Sequence, residues 1–151
     1  AGITSALCTS FKVELLEGDH DFNNGADAFK VALFKANASI TGTYSAATTN
    51  YSDMTGNSDE LPATGGYSTT GFALTNVNPT STSTTAFTSF SANASWTSAT
   101  FTTRGCMIYN TSDSNSAVAV INFGADYSVS GGTFEIQWPT ADSSNAIIRI
   151  A

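Results

Sequence analysis

The last third of the chain constrains the fold most, because short apolar runs alternate there with polar turn clusters at regular spacing. The apolar runs, rich in β-branched and aromatic residues, lie at 106–109, 117–123, 134–138 and 146–150. The clusters between them lie at 110–116, 125–133 and 139–145. This spacing is typical of antiparallel sandwiches and barrels. We therefore predict a mainly β fold, an antiparallel β-sandwich of jelly-roll-like or other Greek-key topology.

One α-helix is predicted at the N-terminus, over residues 3–17. Its apolar residues recur at four-residue steps and form one stripe, made of Ile3, Leu7, Phe11 and Leu15. Thr4 or Ser5 can cap the start of this helix, and Gly18 can close its end. We expect the apolar stripe to lie on the sheet.

Further strands precede the last third and bring the predicted total to eight or nine. In the clearest, at 29–35, Phe29, Val31 and Leu33 share one face. The others are predicted near Tyr44 and Tyr51 and at 71–77, 86–92 and 99–103. Residues 50–66 hold many turn formers, and we predict that they form a long loop, which we call the excursion. Gly65 and Gly66 are predicted to form a tight bend.

Size and charge narrow the function classes. A chain of 151 residues fits one domain, which we place at 1–151. The net charge is −7, and the five bases (Lys12, Lys30, Lys35, Arg104 and Arg149) are scattered, so we expect no nucleic-acid partner. No apolar run approaches the ~18 residues of a membrane-spanning helix. The N-terminus lacks a signal-peptide pattern, from which we expect cytoplasmic synthesis without export.

The two cysteines, Cys8 and Cys106, are far apart in sequence, and both have apolar neighbours. Because a chain that is not exported matures in a reducing compartment, we predict buried free thiols rather than a disulfide. Their spacing matches no metal motif.

Catalysis by a triad would have to use His20, since the chain has one histidine. No G-x-S-x-G motif accompanies it, so we predict an exposed loop histidine and a protein that is not an enzyme.

The loop after the helix carries oxygen-bearing residues at alternate positions: Asp19, Asp21, Asn23 and Asp27. A calcium loop has this alternation, but here the glycine, Gly25, comes one place late, and Lys30 stands where a bidentate glutamate belongs. We favour a solvated turn, with no metal or cofactor.

Three tyrosines, Tyr44, Tyr51 and Tyr67, lie in or beside the weakly patterned middle of the chain. Tyrosine is enriched at interfaces, so these three, with Ile3 and Leu7 of the N-terminal segment, are the candidate contact residues. The alternative is that the tyrosines fold back onto the sandwich.

Several segments resemble a family of small virion structural proteins of tailed bacteriophages. These are ALCTSFK at 6–12, ELL at 14–16, FKVAL at 29–33, GGY at 65–67, AT at 99–100, RG at 104–105, IYN at 108–110, AVAV at 117–120, FG at 123–124 and NAIIRIA at 145–151. The resemblance is weakest over about 36–98, and its motifs are structural.

The resemblance implies a capsid decoration (cement) protein, made in the host cytoplasm and bound to the head surface of the virion. Its partners would be the major capsid protein and further copies of itself, most simply as a homotrimer. The alternative is a tail or tail-fibre module that binds host surface glycans, because exposed aromatics near acids suit sugar stacking. A hydrolase on the same scaffold is the least favoured hypothesis.

Overall fold

The computed structural model describes all 151 residues and is mainly β, with antiparallel sheets and a helix near the N-terminus, as predicted. The elements in chain order are β1 (Gly2–Ile3), β2 (Ala6–Leu7), α1 (Thr9–Glu17), β3 (Phe29–Leu33), a 3-10 turn (Asn37–Ser39), β4 (Thr43–Tyr44), α2 (Tyr51–Gly56), β5 (Phe72–Ala73), β6 (Thr80–Thr82), β7 (Thr85–Thr88), β8 (Ala94–Asn110), β9 (Ser116–Ile136) and β10 (Ile148–Ile150). Neither α-helix has the length and apolar character that crossing a lipid bilayer requires.

Two antiparallel sheets share one core, which gives the predicted sandwich. The larger sheet has the strand order β2-β9-β8-β3-β5, and the smaller has the order β10-β7-β6. A short parallel pair, β1 with β4, lies beside them. Residues of both sheets, such as Val31 of β3 and Ile148 of β10, belong to a single cluster of 27 buried residues.

The longest element is the β8–β9 hairpin, whose two halves differ. Near the turn at 111–115, β8 also pairs with β3 and β9 with β2, and nearly every residue is buried. Beyond Gly105 and Asn122 the two strands continue as a two-stranded ribbon, from Thr103 opposite Tyr127 to Ala94 opposite Ile136. We call these parts the buried half and the ribbon half.

The prediction of a turn at 125–133 is wrong, because β9 runs through it without a break. Gly131 has φ = 68° and forms a bulge, and Ser98 of the partner strand has φ = 48° at a second irregularity. A bulge changes the direction in which the following side chains point, while the strand stays paired with its neighbour. Tyr127 and Val129 alternate with serines, a pattern that indicates a strand. We did not predict this strand, because Gly131 and Gly132 follow and are typical of a turn.

The predicted helix over 3–17 is only half correct, since α1 begins at Thr9 and Cys8 is its N-cap. Ile3 and Leu7 lie instead on strands, where they pair with Tyr44 of β4 and Ala119 of β9. These distant pairings override the local four-residue spacing. The predicted end is confirmed, because Gly18 adopts the left-handed conformation with φ = 85°.

The excursion contains a helix that we did not predict, and Tyr51 is its first residue rather than part of a strand. Asn50 and Asp53 form a capping box at its start: the Asn50 side chain accepts a hydrogen bond from the Ser52 N–H, and the Asp53 carboxylate accepts one from the Asn50 N–H. The tight bend at Gly65 is confirmed by φ = 61°, and a Cβ there would overlap the Thr100 carbonyl oxygen. The Gly65 carbonyl accepts a hydrogen bond from the Thr100 N–H, which covers this edge of β8.

Both cysteines are buried and free, as predicted. Burial raises the pKa of the Cys8 and Cys106 thiols to about 12, so both stay protonated and unreactive in the folded protein.

Candidate functional site

His20 is buried, so the prediction of an exposed loop histidine is wrong. Its ring packs between Phe11 and Phe29, with centroid distances of 4.8 and 6.4 Å. Nε2 lies 3.1 Å from Glu14 Oε1 and 3.8 Å from Asp113 Oδ2. The histidine therefore ties the end of α1 to the β8–β9 turn.

The hydrogen bonds of Asn110 indicate which tautomer of His20 the structure favours. Its Oδ1 accepts from the Ser112 N–H, so its Nδ2 is the group that donates to Asp27 and to His20 Nδ1, at 2.8 and 2.9 Å. Nδ1 is then an acceptor, and the proton lies on Nε2, which donates to Glu14.

Glu14, His20 and Asp113 present three ligand atoms within 4.8 Å of one another, the spacing of a metal site. A metal would need the Nε2 lone pair and would move the proton to Nδ1, where the Asn110 amide also donates. The hydrogen bonds of this cluster therefore suit a structural link between α1 and the β8–β9 turn better than a metal centre.

The loop that could resemble a calcium site is a turn, as we favoured. Asp21 Oδ1 accepts from the backbone N–H and the side-chain amide of Asn23, and Asp27 Oδ2 accepts from the Asp21 N–H. These carboxylates thus satisfy the loop's own donors, which is typical of Asx turns.

The candidate contact residues are mostly inside the protein. Tyr44 and Tyr67 are buried, so the prediction that they form an exposed surface is wrong, and the alternative of tyrosines folded onto the sandwich is confirmed for both. Ile3, a candidate contact residue of the N-terminal segment, is buried as well. Tyr51 is half-buried and stacks on Tyr109 at 4.4 Å. Leu7 is also half-buried, and its role in contact stays a prediction.

A buried carboxylate, Glu60, explains why two of the tyrosines turn inward. It accepts hydrogen bonds from the Tyr51 and Tyr67 hydroxyls and, at 2.9 Å, from the Thr70 N–H. Burial and the bond to Glu60 raise the pKa of both phenols, which keeps them protonated donors. Tyr109 closes the cluster by donating to the Thr70 carbonyl. These bonds fasten the excursion to the sheet.

The neighbouring carboxylate, Asp59, does the same for Tyr44. It accepts from the Tyr44 hydroxyl at 2.7 Å and from the Thr41 and Gly42 N–H groups at 2.9 and 2.8 Å. Burial opposes ionisation of this carboxyl, but the hydrogen bonds outweigh it and hold its pKa below the usual range. Both acids were missed in the sequence, where nothing local marks a buried carboxylate.

A series of neighbouring hollows runs across the surface; most have apolar lining, and the middle one also carries Thr85, Ser143 and Arg149. Five hollows share lining residues in series: the ribbon hollow shares Phe123 and Ile136 with one at Trp138, and that one shares Ala146 and Ile147 with the next. The series continues through Leu7 to the groove between α1 and β10. We call the whole series the trough.

The two ends of the trough differ in chemistry. The ribbon end is lined by Phe123, Tyr127, Phe134 and Ile136 together with Glu135. The helix end is lined by aliphatic side chains of α1 and β10, among them Leu15, Leu16 and Ile150, together with Lys12 and Arg149. Phe11, Phe22 and Phe87 also line the helix end, so both ends carry aromatic side chains, and the bases Lys12 and Arg149 lie only at the helix end. Sequence reasoning missed the trough, because its residues come from distant segments: the N-terminal part, residues 79–88, the β8–β9 hairpin and the C-terminal part.

Comparisons of the chain with models of protein families, with curated proteins and with solved structures found no match. The resemblance to phage virion proteins therefore stays a prediction, and function has to be argued from the geometry.

Proposed function

We propose that the protein is a structural protein of a tailed-bacteriophage virion, a decoration protein that binds the major capsid protein on the outer surface of the head. It works as a homotrimer and needs no cofactor. The observation that carries this proposal is the trough, a series of surface hollows in which exposed apolar side chains such as Leu16, Tyr127 and Ile150 gather.

The chemistry of the buried groups supports adhesion rather than turnover. Both ring nitrogens of His20 are engaged, by Glu14 and Asn110, and the acids Asp59 and Glu60 hold tyrosine hydroxyls. Each of these groups is committed to a contact that joins two segments. Extended apolar surfaces rimmed by polar residues mark interaction sites in soluble proteins.

A decoration protein gains its strength from several contacts made at once. If copies of the chain associate through the trough, each assembly presents several capsid-binding surfaces in a fixed geometry. Weak contacts to neighbouring capsid subunits then combine into tight binding, since the later contacts are intramolecular.

The test is binding to empty heads built from the major capsid protein encoded in the same genome. Purified protein is mixed with these heads, and cryo-electron microscopy locates the bound density. We expect density at regular positions on the outer surface, and heads that resist heat better than undecorated ones. Heads that stay bare at saturating protein, or binding confined to tails, would contradict the proposal.

A second function, glycan binding by a tail module, is favoured by one observation. Tyr127 is 51 % exposed at the ribbon end, with its ring 6.1 Å from that of Phe123, and an exposed aromatic ring suits stacking on a sugar. A glycan array tests it: binding of a host polysaccharide that Tyr127→Ala abolishes would establish this function. An array without signal would contradict the glycan-binding function.

A further inference from the structure

One peptide bond of the chain, between Asn24 and Gly25, joins an asparagine to a glycine, and no other Asn-Gly pair occurs in the sequence. Asparagine is a thermolabile residue, because the backbone nitrogen of the next residue can attack its side-chain amide carbon. A glycine at that next position has no Cβ to crowd the attack. Both residues are exposed, in the loop between α1 and β3. The pair is therefore a candidate for spontaneous chemical modification.

The loop leaves the attacking nitrogen without a hydrogen bond. Every other backbone N–H from residue 23 to residue 27 donates one: Asn23 to Asp21 Oδ1 at 3.0 Å, Asn24 to Asn78 Oδ1 at 2.7 Å, Ala26 to the Asn23 carbonyl at 3.0 Å and Asp27 to the Asp21 carbonyl at 3.2 Å. The Gly25 N–H donates none. Attack by this nitrogen therefore breaks no hydrogen bond.

The Asn24 side chain is equally unrestrained, since its amide makes no hydrogen bond within the molecule. Its neighbour differs, because the Asn23 amide donates to Asp21 Oδ1 at 2.9 Å. The Asn57 amide is held more firmly, by the Tyr44 hydroxyl at 3.2 Å and by a backbone carbonyl at 2.9 Å. The Asn24 amide can thus rotate until its carbon faces the Gly25 nitrogen, whereas the other two would first lose hydrogen bonds.

Asn115, in the turn between β8 and β9, offers a matched comparison. It is exposed, as Asn24 is, and its side chain makes no hydrogen bond. The next residue, Ser116, is buried, and its N–H donates to the Asp113 carbonyl at 2.9 Å. Attack by the Ser116 nitrogen would break this bond, and the serine Cβ would crowd it. Exposure is therefore common to both asparagines, and the free N–H of a glycine distinguishes Asn24.

We propose that Asn24 is a deamidation site, at which the folded protein slowly converts an amide into a carboxylate. The Gly25 nitrogen bonds to Asn24 Cγ, the Cγ–Nδ2 bond breaks, and ammonia leaves with the proton of the attacking nitrogen. Water then opens the resulting succinimide ring. Cleavage of the bond between Cγ and the Gly25 nitrogen gives aspartate, and cleavage of the other C–N bond gives isoaspartate, whose backbone runs through Cγ. This modification is independent of the proposed function.

The product changes a loop that is already acidic and is anchored on both sides. The new carboxylate adds one negative charge to a chain whose net charge is −7. The Asn24 N–H is bonded to Asn78 Oδ1, and Asn76 Nδ2 donates to the Asp27 carbonyl at 2.9 Å. Isoaspartate adds a methylene to the backbone between these two anchors, whereas aspartate leaves the backbone unchanged. We therefore expect the isoaspartate product to loosen the loop.

The test is incubation of the folded protein at neutral and at mildly alkaline pH, followed by digestion with trypsin and mass spectrometry. Cleavage after Lys12 and Lys30 releases residues 13–30, which carry Asn24. Deamidation adds about one dalton, and fragmentation of the peptide assigns this gain to a residue. We expect the gain at Asn24 to appear at least about tenfold faster than at Asn115. It should be faster at the higher pH, because the attacking nitrogen has to lose its proton.

The isolated peptides serve as the unfolded comparison. Because the Gly25 N–H is free, we expect Asn24 to react in the folded protein within about tenfold of its rate in the peptide of residues 13–30. Asn115 should react more slowly in the folded protein than in its own tryptic peptide, residues 105–149, by a larger factor than Asn24 does. A folded protein in which Asn24 stays intact while the peptide reacts would overturn the inference. Equal rates at Asn24 and Asn115 in the folded protein would overturn it as well.

Two variants separate the chemistry from its consequence. Asn24→Gln lengthens the side chain by one methylene, which places the amide carbon badly for attack, and the mass gain at this position should disappear. Asn24→Asp carries the aspartate product with an unchanged backbone. We expect aged wild-type protein that contains isoaspartate to melt about 2–4 °C below both freshly prepared wild type and Asn24→Asp. Aged protein that carries isoaspartate and melts like Asn24→Asp would contradict the loosening of the loop.

Discussion

The two halves of the β8–β9 hairpin belong to the same pair of strands, yet they are buried to different extents. Nearly every residue of the buried half is enclosed, whereas in the ribbon half Ala94, Trp96 and Ala99 of β8 reach the core and most of β9 stays exposed. In the buried half, Met107 lies between Ala32 of β3 and Val120 of β9 and is fully buried. In the ribbon half, Phe134 and Tyr127 remain open to the trough. The difference comes from neighbours: β2 and β3 flank the first half and end before the second. We therefore expect the buried half to contribute most to stability, and the ribbon half to contribute to the proposed contact.

The largest effect is expected from truncating the buried half. Met107→Ala removes a side chain with no exposed surface, and we expect the free energy of unfolding to fall by about 2–5 kcal/mol. Val129→Ala in the ribbon half is the matched variant and should cost at most about 1 kcal/mol. Urea unfolding measures both, and equal losses would break the comparison.

A smaller effect is expected from the carboxylate that fastens the excursion. Glu60→Gln puts an amide where two phenols and the Thr70 N–H donate, and we expect a loss of about 1–3 kcal/mol. Glu135→Gln, in the ribbon half, should stay within about 0.5 kcal/mol of the wild type. Urea unfolding at a concentration where the protein is monomeric checks both. A neutral Glu60→Gln would mean that the excursion is held by packing alone.

Lowering the pH should reduce the stability of the folded protein, because it protonates Asp59. Its folded-state pKa is lowered, so its stabilising effect is complete above its unfolded value near 3.8 and is lost as the pH falls through the folded value. Asp59→Asn should therefore be less stable than the wild type at neutral pH, with a difference that shrinks in acid. Thermal melting between pH 7 and pH 2 measures it, and a difference independent of pH would contradict this role.

The smallest effect is expected on the polar face of the ribbon half. The Thr102 and Ser128 hydroxyls share a hydrogen bond of 2.8 Å in an exposed position. Thr102→Ala should change the free energy of unfolding by no more than about 0.5 kcal/mol, and association should not change. A larger loss in urea unfolding would show that the ribbon half contributes to the core more than its exposure implies.

Local patterns predicted the parts of the fold that local physics decides. The strand around Val31, the helix end at Gly18 and the burial of both cysteines followed from periodicity, backbone freedom and apolar neighbours. The capping box of Asn50 and Asp53 was readable as well, and we overlooked it among the turn formers.

The remaining features depend on segments that meet only in the folded protein. Ile3 and Leu7 keep a helical spacing but form strands, because β4 and β9 supply their partners. The inward turn of Tyr67 depends on Glu60, and the burial of His20 depends on Asn110, 90 positions later. The trough likewise joins the N-terminal segment, residues 79–88, the β8–β9 hairpin and the C-terminal segment, so no local pattern could reveal it.

The most direct test measures stability and association in one variant, Tyr127→Ser. Its side chain is 51 % exposed and lies at the ribbon end of the trough. We predict a free energy of unfolding within about 0.5 kcal/mol of the wild type at monomeric concentrations, with self-association weakened at least about tenfold in Kd. A variant that associates like the wild type, or unfolds as readily as Met107→Ala, would contradict the division of the hairpin into a folding half and a binding half.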